Sequence, residues 1–236
     1  MFYRQLITKL NRLAIQFPVL AITGPRQVGK STLAKMFAQL SNKKFTLFDL
    51  EKPSDLLALE QQTTQVLENY TNDLVIIDEV QRLTSIFPIL RYLVDEHRIP
   101  LRFLLLGSAS PELIKNSSES LAGRIAYVEL SGFLPSEVGV ENWKKLWFRG
   151  GYPNAFLQDN NELRKDWFEN YINTYVQRDL PLLGMPSETG VTIRLLYMPA
   201  HLNGQVHNIS MQARSMGISV NTIKKIFVFL RKCRNN

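Results

Sequence analysis

The stretch Ala21-Ile22-Thr23-Gly24-Pro25-Arg26-Gln27-Val28-Gly29-Lys30-Ser31-Thr32-Leu33 decides the fold, because an apolar run stops at a glycine and restarts as a helix. Its spacing, Gly24-x-x-x-x-Gly29-Lys30-Ser31, predicts a phosphate-binding loop. Gly24 and Gly29 permit backbone angles that a Cβ would block, so successive N–H groups can turn inward on a phosphate at a helix N-terminus. Lys30 supplies a flexible cation for β- and γ-phosphate oxygens, and the Ser31 hydroxyl is placed to bind Mg2+. The context agrees. Pro18 to Ile22 reads as a buried parallel strand, and Leu33, Met36, Phe37 and Leu40 recur with helical period. The alternative is a chance glycine-rich turn between strand and helix. Gly24, Pro25, Arg26, Gln27, Val28, Gly29, Lys30, Ser31 and Thr32 are therefore the candidate nucleotide-binding set.

Working outward, residues 2 to 16 place Phe2, Leu6, Ile7, Leu10, Leu13 and Ala14 near one face, with Arg4, Lys9 and Arg12 interleaved, which predicts an amphipathic helix on the sheet edge. After the loop and its helix, Lys44 to Leu50 alternates with strand period and ends in the acids Asp49 and Glu51. Residues 53 to 70 read as a polar-faced helix. Leu74-Val75-Ile76-Ile77-Asp78-Glu79-Val80-Gln81 then delivers two carboxylates at the end of a buried parallel strand. Asp78 suits a Mg2+ water shell, and Glu79 can accept the proton of a water attacking a γ-phosphate. A mere acidic strand end is the bland alternative.

A helix over residues 86 to 97 leads to a fourth strand, Leu101 to Leu106, followed by Gly107-Ser108-Ala109-Ser110. If that strand lies between the first and third, Ser108 can sense the γ-phosphate or position water; its alternative is a helix cap. Arg124, before a fifth strand over Ile125 to Leu130, is a candidate to offset charge on phosphates of its own or a neighbouring subunit. A structural ion pair is equally open.

These residues carry a resemblance. Gly24 to Thr32, Ile77 to Gln81, Leu106 to Ser110, Leu121-Ala122-Gly123-Arg124, Arg149-Gly150-Gly151-Tyr152-Pro153 and Tyr175-Val176-Gln177-Arg178-Asp179-Leu180 resemble, in order, the motifs of a prokaryotic AAA+ ATPase family. Its members look like an AAA domain followed by a winged helix and a further C-terminal domain. The resemblance implies an α/β P-loop NTPase sheet in the order 5-1-4-3-2, ATP and Mg2+ as ligands, and Ser108 as the first sensor. It also implies a chain shortened at its C-terminus, since relatives continue well past the winged-helix region.

The expected organisation is an ATPase core over residues 1–140, a helical linker over 141–187, and a small all-α, winged-helix-like module over 188–236. Trp143, Trp147 and Trp167 are expected to be packing residues rather than base-stacking platforms. In the last module, Ile209 to Met216, a glycine-containing turn and Asn221 to Arg231 read as a helix-turn-helix, with Asn221, Thr222, Lys224 and Lys225 on its second helix. DNA is one expected partner; packing against the ATPase core is the alternative for that bundle.

Bulk properties bound the rest. A 236-residue chain should bury roughly 70% of its unfolded surface, so it can hold a core without staples. Cys233 is the only cysteine, which excludes an internal disulfide and a cysteine-based metal cluster. No apolar run approaches the roughly 20 residues of a membrane span, and no secretory signal is evident, so cytoplasm is the expected compartment. The net charge of +7 is a C-terminal property: residues 187 to 236 hold seven Lys/Arg and one Asp/Glu, against 21 and 20 before them. Such a field suits an anionic polymer, and solvated surface charge is the alternative. No Asn-Lys-x-Asp element follows the acidic strand, so GTP is disfavoured. The expected function is Mg2+-dependent ATP hydrolysis coupled to the C-terminal module, in a chain that can form a homo-oligomer. Its rivals are an ATP-responsive DNA- or protein-binding switch without turnover, and a truncated inactive remnant.

Overall fold

The computed structural model describes residues 2–107, 121–182, 184–185, 188–201 and 208–234. It divides into two compact units, Met1–Leu157 and Gln158–Asn236.

In the first unit, α1 (Leu6–Ala14) precedes β1 (Val19–Thr23), α2 (Lys30–Leu40), β2 (Phe45–Asp49), α3 (Pro53–Glu68), β3 (Leu74–Asp78), α4 (Ile86–Glu96), β4 (Phe103–Gly107) and β5 (Ile125–Glu129). Three short helices follow: α5 (Pro135–Val138), α6 (Trp143–Arg149) and α7 (Pro153–Leu157). The strands form one parallel sheet in the order β2-β3-β4-β1-β5, the expected 5-1-4-3-2 arrangement read from its other edge. The pairing is in step, with Val19 of β1 opposite both Phe103 and Ile125. All five C-terminal ends therefore lie along one edge.

Successive strand residues point to opposite faces, and both faces of this sheet are covered. Val19, Ala21, Val75, Ile77, Phe103 and Leu105 pack against Leu59 and Leu67 of α3 and Phe87, Leu90 and Val94 of α4. Their neighbours Leu20, Ile22, Leu74, Ile76, Leu104 and Leu106 pack against Ile7 and Leu10 of α1 and Leu33, Ala34 and Phe37 of α2. This double coverage explains why the central strands read as unbroken apolar runs. Phe37 is fully buried, and truncating it to Ala would cost about 3–5 kcal/mol. Arg102, also fully buried, donates to the carbonyls of Leu93 and His97 at the end of α4, where a cation meets the negative end of the helix dipole.

Trp143 and Trp147 depart from the expected packing role. They are 53% and 85% exposed, on a seven-residue helix none of whose residues is fully buried.

In the second unit, α8 (Asn161–Thr174) begins at Asn160, whose side chain accepts from the N–H groups of Glu162 and Leu163. Trp167, Tyr171 and Tyr175 stack in series along one side of it. A π-helical turn at Tyr175–Asp179 follows, then a short turn at Leu180–Leu182. Three further helices, α9 (Thr189–His201), α10 (Ile209–Met216) and α11 (Val220–Arg234), share a small core around Leu195, Ala213, Ile223 and Ile226. Among the described residues this unit is helical throughout and carries no wing strand.

Candidate functional site

The chain leaves β1 at Thr23 and enters Gly24 with φ +146°. Leu130 N–H donates to Thr23 O, which presses the segment after β5 against this corner. A Cβ on Gly24 would lie 2.2 Å from Leu130 O, so only glycine fits. Gln27 and Gly29 also have positive φ, at 59° and 96°. Left-handed residues alternating with right-handed ones turn consecutive N–H groups into a concave, anion-accepting nest. Gly29 then starts α2, whose first turn has no side-chain cap. Val28 is fully buried and anchors the loop in the core beneath it.

Lys30 is 6% exposed, and its Nζ donates to Gly24 O and Pro25 O at 2.9 Å each. The ammonium is thus folded back onto the loop it belongs to. One residue on, Ser31 Oγ donates to Asp78 Oδ2 at 2.5 Å, joining the start of α2 to the end of β3. Asp78 accepts the Glu79 N–H on its other oxygen at 2.9 Å. Glu79 itself sits at φ 55°, an uncommon angle for a side-chain-bearing residue, and marks the sharp exit from the strand. Its Oε2 accepts from Gln81 Nε2. The hydroxyl and carboxylates gathered here are hard oxygen donors without a thiolate or imidazole, the donor set that suits Mg2+.

Lys30, Ser31, Asp78 and Glu79 are therefore brought together at the C-terminal edge of the sheet, along with the loop residues Gly24 to Gly29; Thr32 is on the exposed side of α2. Arg124 is not among them. It immediately precedes β5, whose first residue pairs with the first residue of β1, so the length of a strand, about 16 Å, separates it from the loop. Its guanidinium makes a bidentate pair with Asp95, at 2.5 and 3.0 Å. That pairing holds the Asp95 carboxyl below its ordinary range, first through the hydrogen bond from Arg124 and further through the charges of Arg124 and Arg91. Ser108 lies outside the described residues.

Two features were not legible from motifs. In sequence Gln81 belongs with its strand, whereas its side chain holds the Glu79 carboxylate. Arg4, interleaved in sequence with the apolar face of residues 2 to 16, is 7% exposed and forms a buried ion pair with Glu137, Nε to Oε2 at 3.1 Å. Its guanidinium also donates to Ser131 O at 2.6 Å and Val28 O at 3.4 Å, and lies over the Phe133 ring. Glu137 accepts in addition from the N–H groups of Gln5 and Leu134. The pair ties the N-terminal segment, the exit of β5 and the back of the phosphate loop into one buried knot. A separation of more than 130 residues leaves no local signal for it.

Among the described residues no helix is long and apolar enough to cross a membrane, and no cluster of three or more His, Cys, Asp or Glu forms a metal site.

Residues 16–139 match the family model described as AAA domain, and residues 140–234 match a model described as a domain of unknown function (DUF8612). Uncharacterized proteins of Mycobacterium bovis and Mycobacterium tuberculosis are each 39% identical over 222 residues. The match takes in 94% of this chain and 49% of theirs, so the chain spans about half the length of these relatives. Among solved structures, a Walker-type ATPase of Pyrococcus abyssi superposes with a TM-score of 0.54 at 16% identity, covering 96% of this chain and 90% of that one. At that identity the likeness is one of fold.

Proposed function

The chain belongs to the AAA-domain family, and from that premise we propose that it binds ATP with Mg2+ on the loop Gly24 to Thr32 and hydrolyses it to ADP and phosphate. The observation that carries the reading is the Ser31–Asp78 hydrogen bond with Glu79 one residue beyond it, which gathers a phosphate loop, two hard oxygen donors and a general base at one sheet edge.

In this reading the loop N–H groups and those at the start of α2 donate to the β-phosphate oxygens. Lys30 exchanges its two carbonyl partners for phosphate oxygens, a swap that costs little because the ammonium keeps its hydrogen bonds. Ser31 and Asp78 hold Mg2+, which supplies charge neutralisation for the phosphates when bound. Glu79 takes a proton from the attacking water as its oxygen bonds to the γ-phosphorus and the bond to the β-γ bridging oxygen breaks. Ser108 positions that water. Arg124 acts on the phosphates of a neighbouring subunit, since its own loop lies a strand length away. A homo-oligomer then gives a turnover per chain that rises with protein concentration. ATP state is coupled to the C-terminal helical unit, for which double-stranded DNA is the candidate partner, and the compartment is the cytoplasm.

Phosphate release from Mg2+-ATP by the wild type beside Lys30→Ala tests this reading. Turnover by the wild type and its loss together with ATP binding in the variant support it; absence of nucleotide binding by the wild type refutes it.

One observation favours a second reading, a nucleotide-responsive switch with negligible turnover. Gln81 Nε2 donates to one oxygen of the Glu79 carboxylate, so that oxygen is engaged by the protein itself. Gln81→Leu distinguishes the two. Turnover that appears only in the variant supports the switch, whereas a wild type that already turns over removes the need for it.

A further inference from the structure

We propose that the exposed face of α11, carrying Asn221, Lys224, Lys225 and Val228, docks double-stranded DNA in the major groove. The inference rests on the reading of double-stranded DNA as the partner of the second unit, and it does not require ATP hydrolysis, so its failure would leave the ATPase reading standing.

The local geometry comes first. Helix α10 ends at Met216, and Gly217 adopts φ 68°, ψ 26°, where a side chain would be strained. Ile218 N–H returns to Ala213 O and Gly217 N–H to Arg214 O, which closes α10 with a Schellman turn and sends Ile218 back into the core. Ser219 then caps α11 by accepting from Thr222 N–H at 3.0 Å. The two helices are thus joined by the three residues Gly217, Ile218 and Ser219, the connection of a helix-turn-helix. Ala213, 3% exposed, supplies the small surface that lets α10 and α11 approach.

Packing then fixes which face of α11 is free. Ile223 and Ile226 are fully buried, and Phe227 and Leu230 pack on the same core. These positions follow the i, i+3, i+4, i+7 pattern of a helix face. The opposite face repeats the same spacing with Asn221, Lys224, Lys225 and Val228, all exposed. Lys224 and Lys225 give that face its charge, and the surrounding sequence is one-signed: residues 208 to 236 contain six Lys/Arg and no Asp or Glu. Charge complementarity therefore commits the face to a polyanion. Duplex DNA fits the shape, because a major groove about 12 Å wide admits one helix. Lys224 and Lys225 meet phosphates, and the Asn221 amide at the N-terminal turn can bond an adenine edge with two hydrogen bonds. An anionic membrane is the poorer fit, since the stripe offers Val228 as its single large apolar residue and no aromatic ring to enter lipid.

The test uses the full chain and a fluorescent 20-base-pair duplex, read by anisotropy over a range of salt concentrations. Lys224→Ala/Lys225→Ala is compared with Lys9→Ala/Arg12→Ala, which removes the same charge from exposed sites on α1. The expected result is a loss of roughly tenfold in duplex affinity and a salt slope shallower by about 1–2 for the α11 variant only. Thermal melting of both variants excludes unfolding as the cause. Asn221→Ala is expected to relax base preference while leaving the salt slope unchanged. The proposal is overturned if the wild type shows no salt-dependent duplex binding, if the two double variants weaken it equally, or if Lys224 and Lys225 matter only for binding to vesicles of anionic lipid.

Discussion

Ser31 Oγ stands 2.5 Å from Asp78 Oδ2, so the first turn of α2 and the end of β3 meet through one hydroxyl and one carboxylate. The two residues are 47 apart in sequence. Only the parallel order of the sheet, with β4 between β1 and β3, brings them to the same edge. The contact predicts interdependence. Asp78→Asn keeps the hydrogen-bonding shape and removes the charge, so ATP binding measured by calorimetry should lose its Mg2+ enhancement while metal-free binding persists. Equal loss with and without Mg2+ would mean that Asp78 supports the loop rather than the metal.

The two loop glycines should differ in their tolerance of a side chain. Gly24→Ala puts a Cβ 2.2 Å from the Leu130 carbonyl, with no flexible neighbour to yield, whereas the nearest atom to a Cβ on Gly29 is Pro153 Cγ at 3.9 Å. Gly29→Ala therefore carries only backbone strain, about 1–2 kcal/mol. Gly24→Ala should lower the thermal midpoint much further, and melting curves of the pair check the order.

Arg4 and Glu137 form the buried pair behind the loop, with side-chain exposures of 8% and 2%. Removing one partner strands the other charge, so Glu137→Ala should destabilise the first unit by about 3–5 kcal/mol. The double variant Arg4→Met/Glu137→Leu should recover much of that loss. Urea denaturation of the three variants provides the check, and additive losses would contradict a coupled pair.

Much of the fold was legible. The parallel strands announced themselves because both faces are buried, which leaves continuous apolar runs such as Leu74 to Ile77. Helix α2 begins at Lys30 and α10 spans Ile209–Met216 as their periodicity and flanking glycines require. That the loop, the two carboxylates and the lysine meet at one sheet edge was legible from local spacing, since each sits at the end of a recognisable strand or the start of a helix. What spacing could not give were relationships across the sheet: Arg4 with Glu137, Arg124 with Asp95, and the exposure of Trp147. An arginine in a helical pattern reads as surface charge unless its distant carboxylate is known. A tryptophan reads as core unless the rotation of its seven-residue helix is known.

Arg124 holds the Asp95 carboxyl below its ordinary value, so the pair stabilises the fold above the unfolded carboxyl value, and that contribution is lost as pH falls through the lower, folded one. Arg124→Ala should therefore raise the Asp95 titration midpoint, read by carboxyl carbon NMR, and remove this part of the acid dependence. A midpoint unmoved by the substitution would contradict the ion pair. Measured beside it, turnover that falls in Arg124→Ala and recovers when that protein is mixed with Lys30→Ala would place Arg124 at a neighbouring subunit's phosphates.

Glu79 is the residue proposed to activate water at a site that binds ATP without it, and steady-state phosphate release by Glu79→Gln beside the wild type reads that role out, with ATP affinity measured on both. The expected result is unchanged affinity within about twofold and a loss of turnover on the order of a hundredfold or more, the scale of a general base. Equal turnover in the two proteins would rule out Glu79 as the general base.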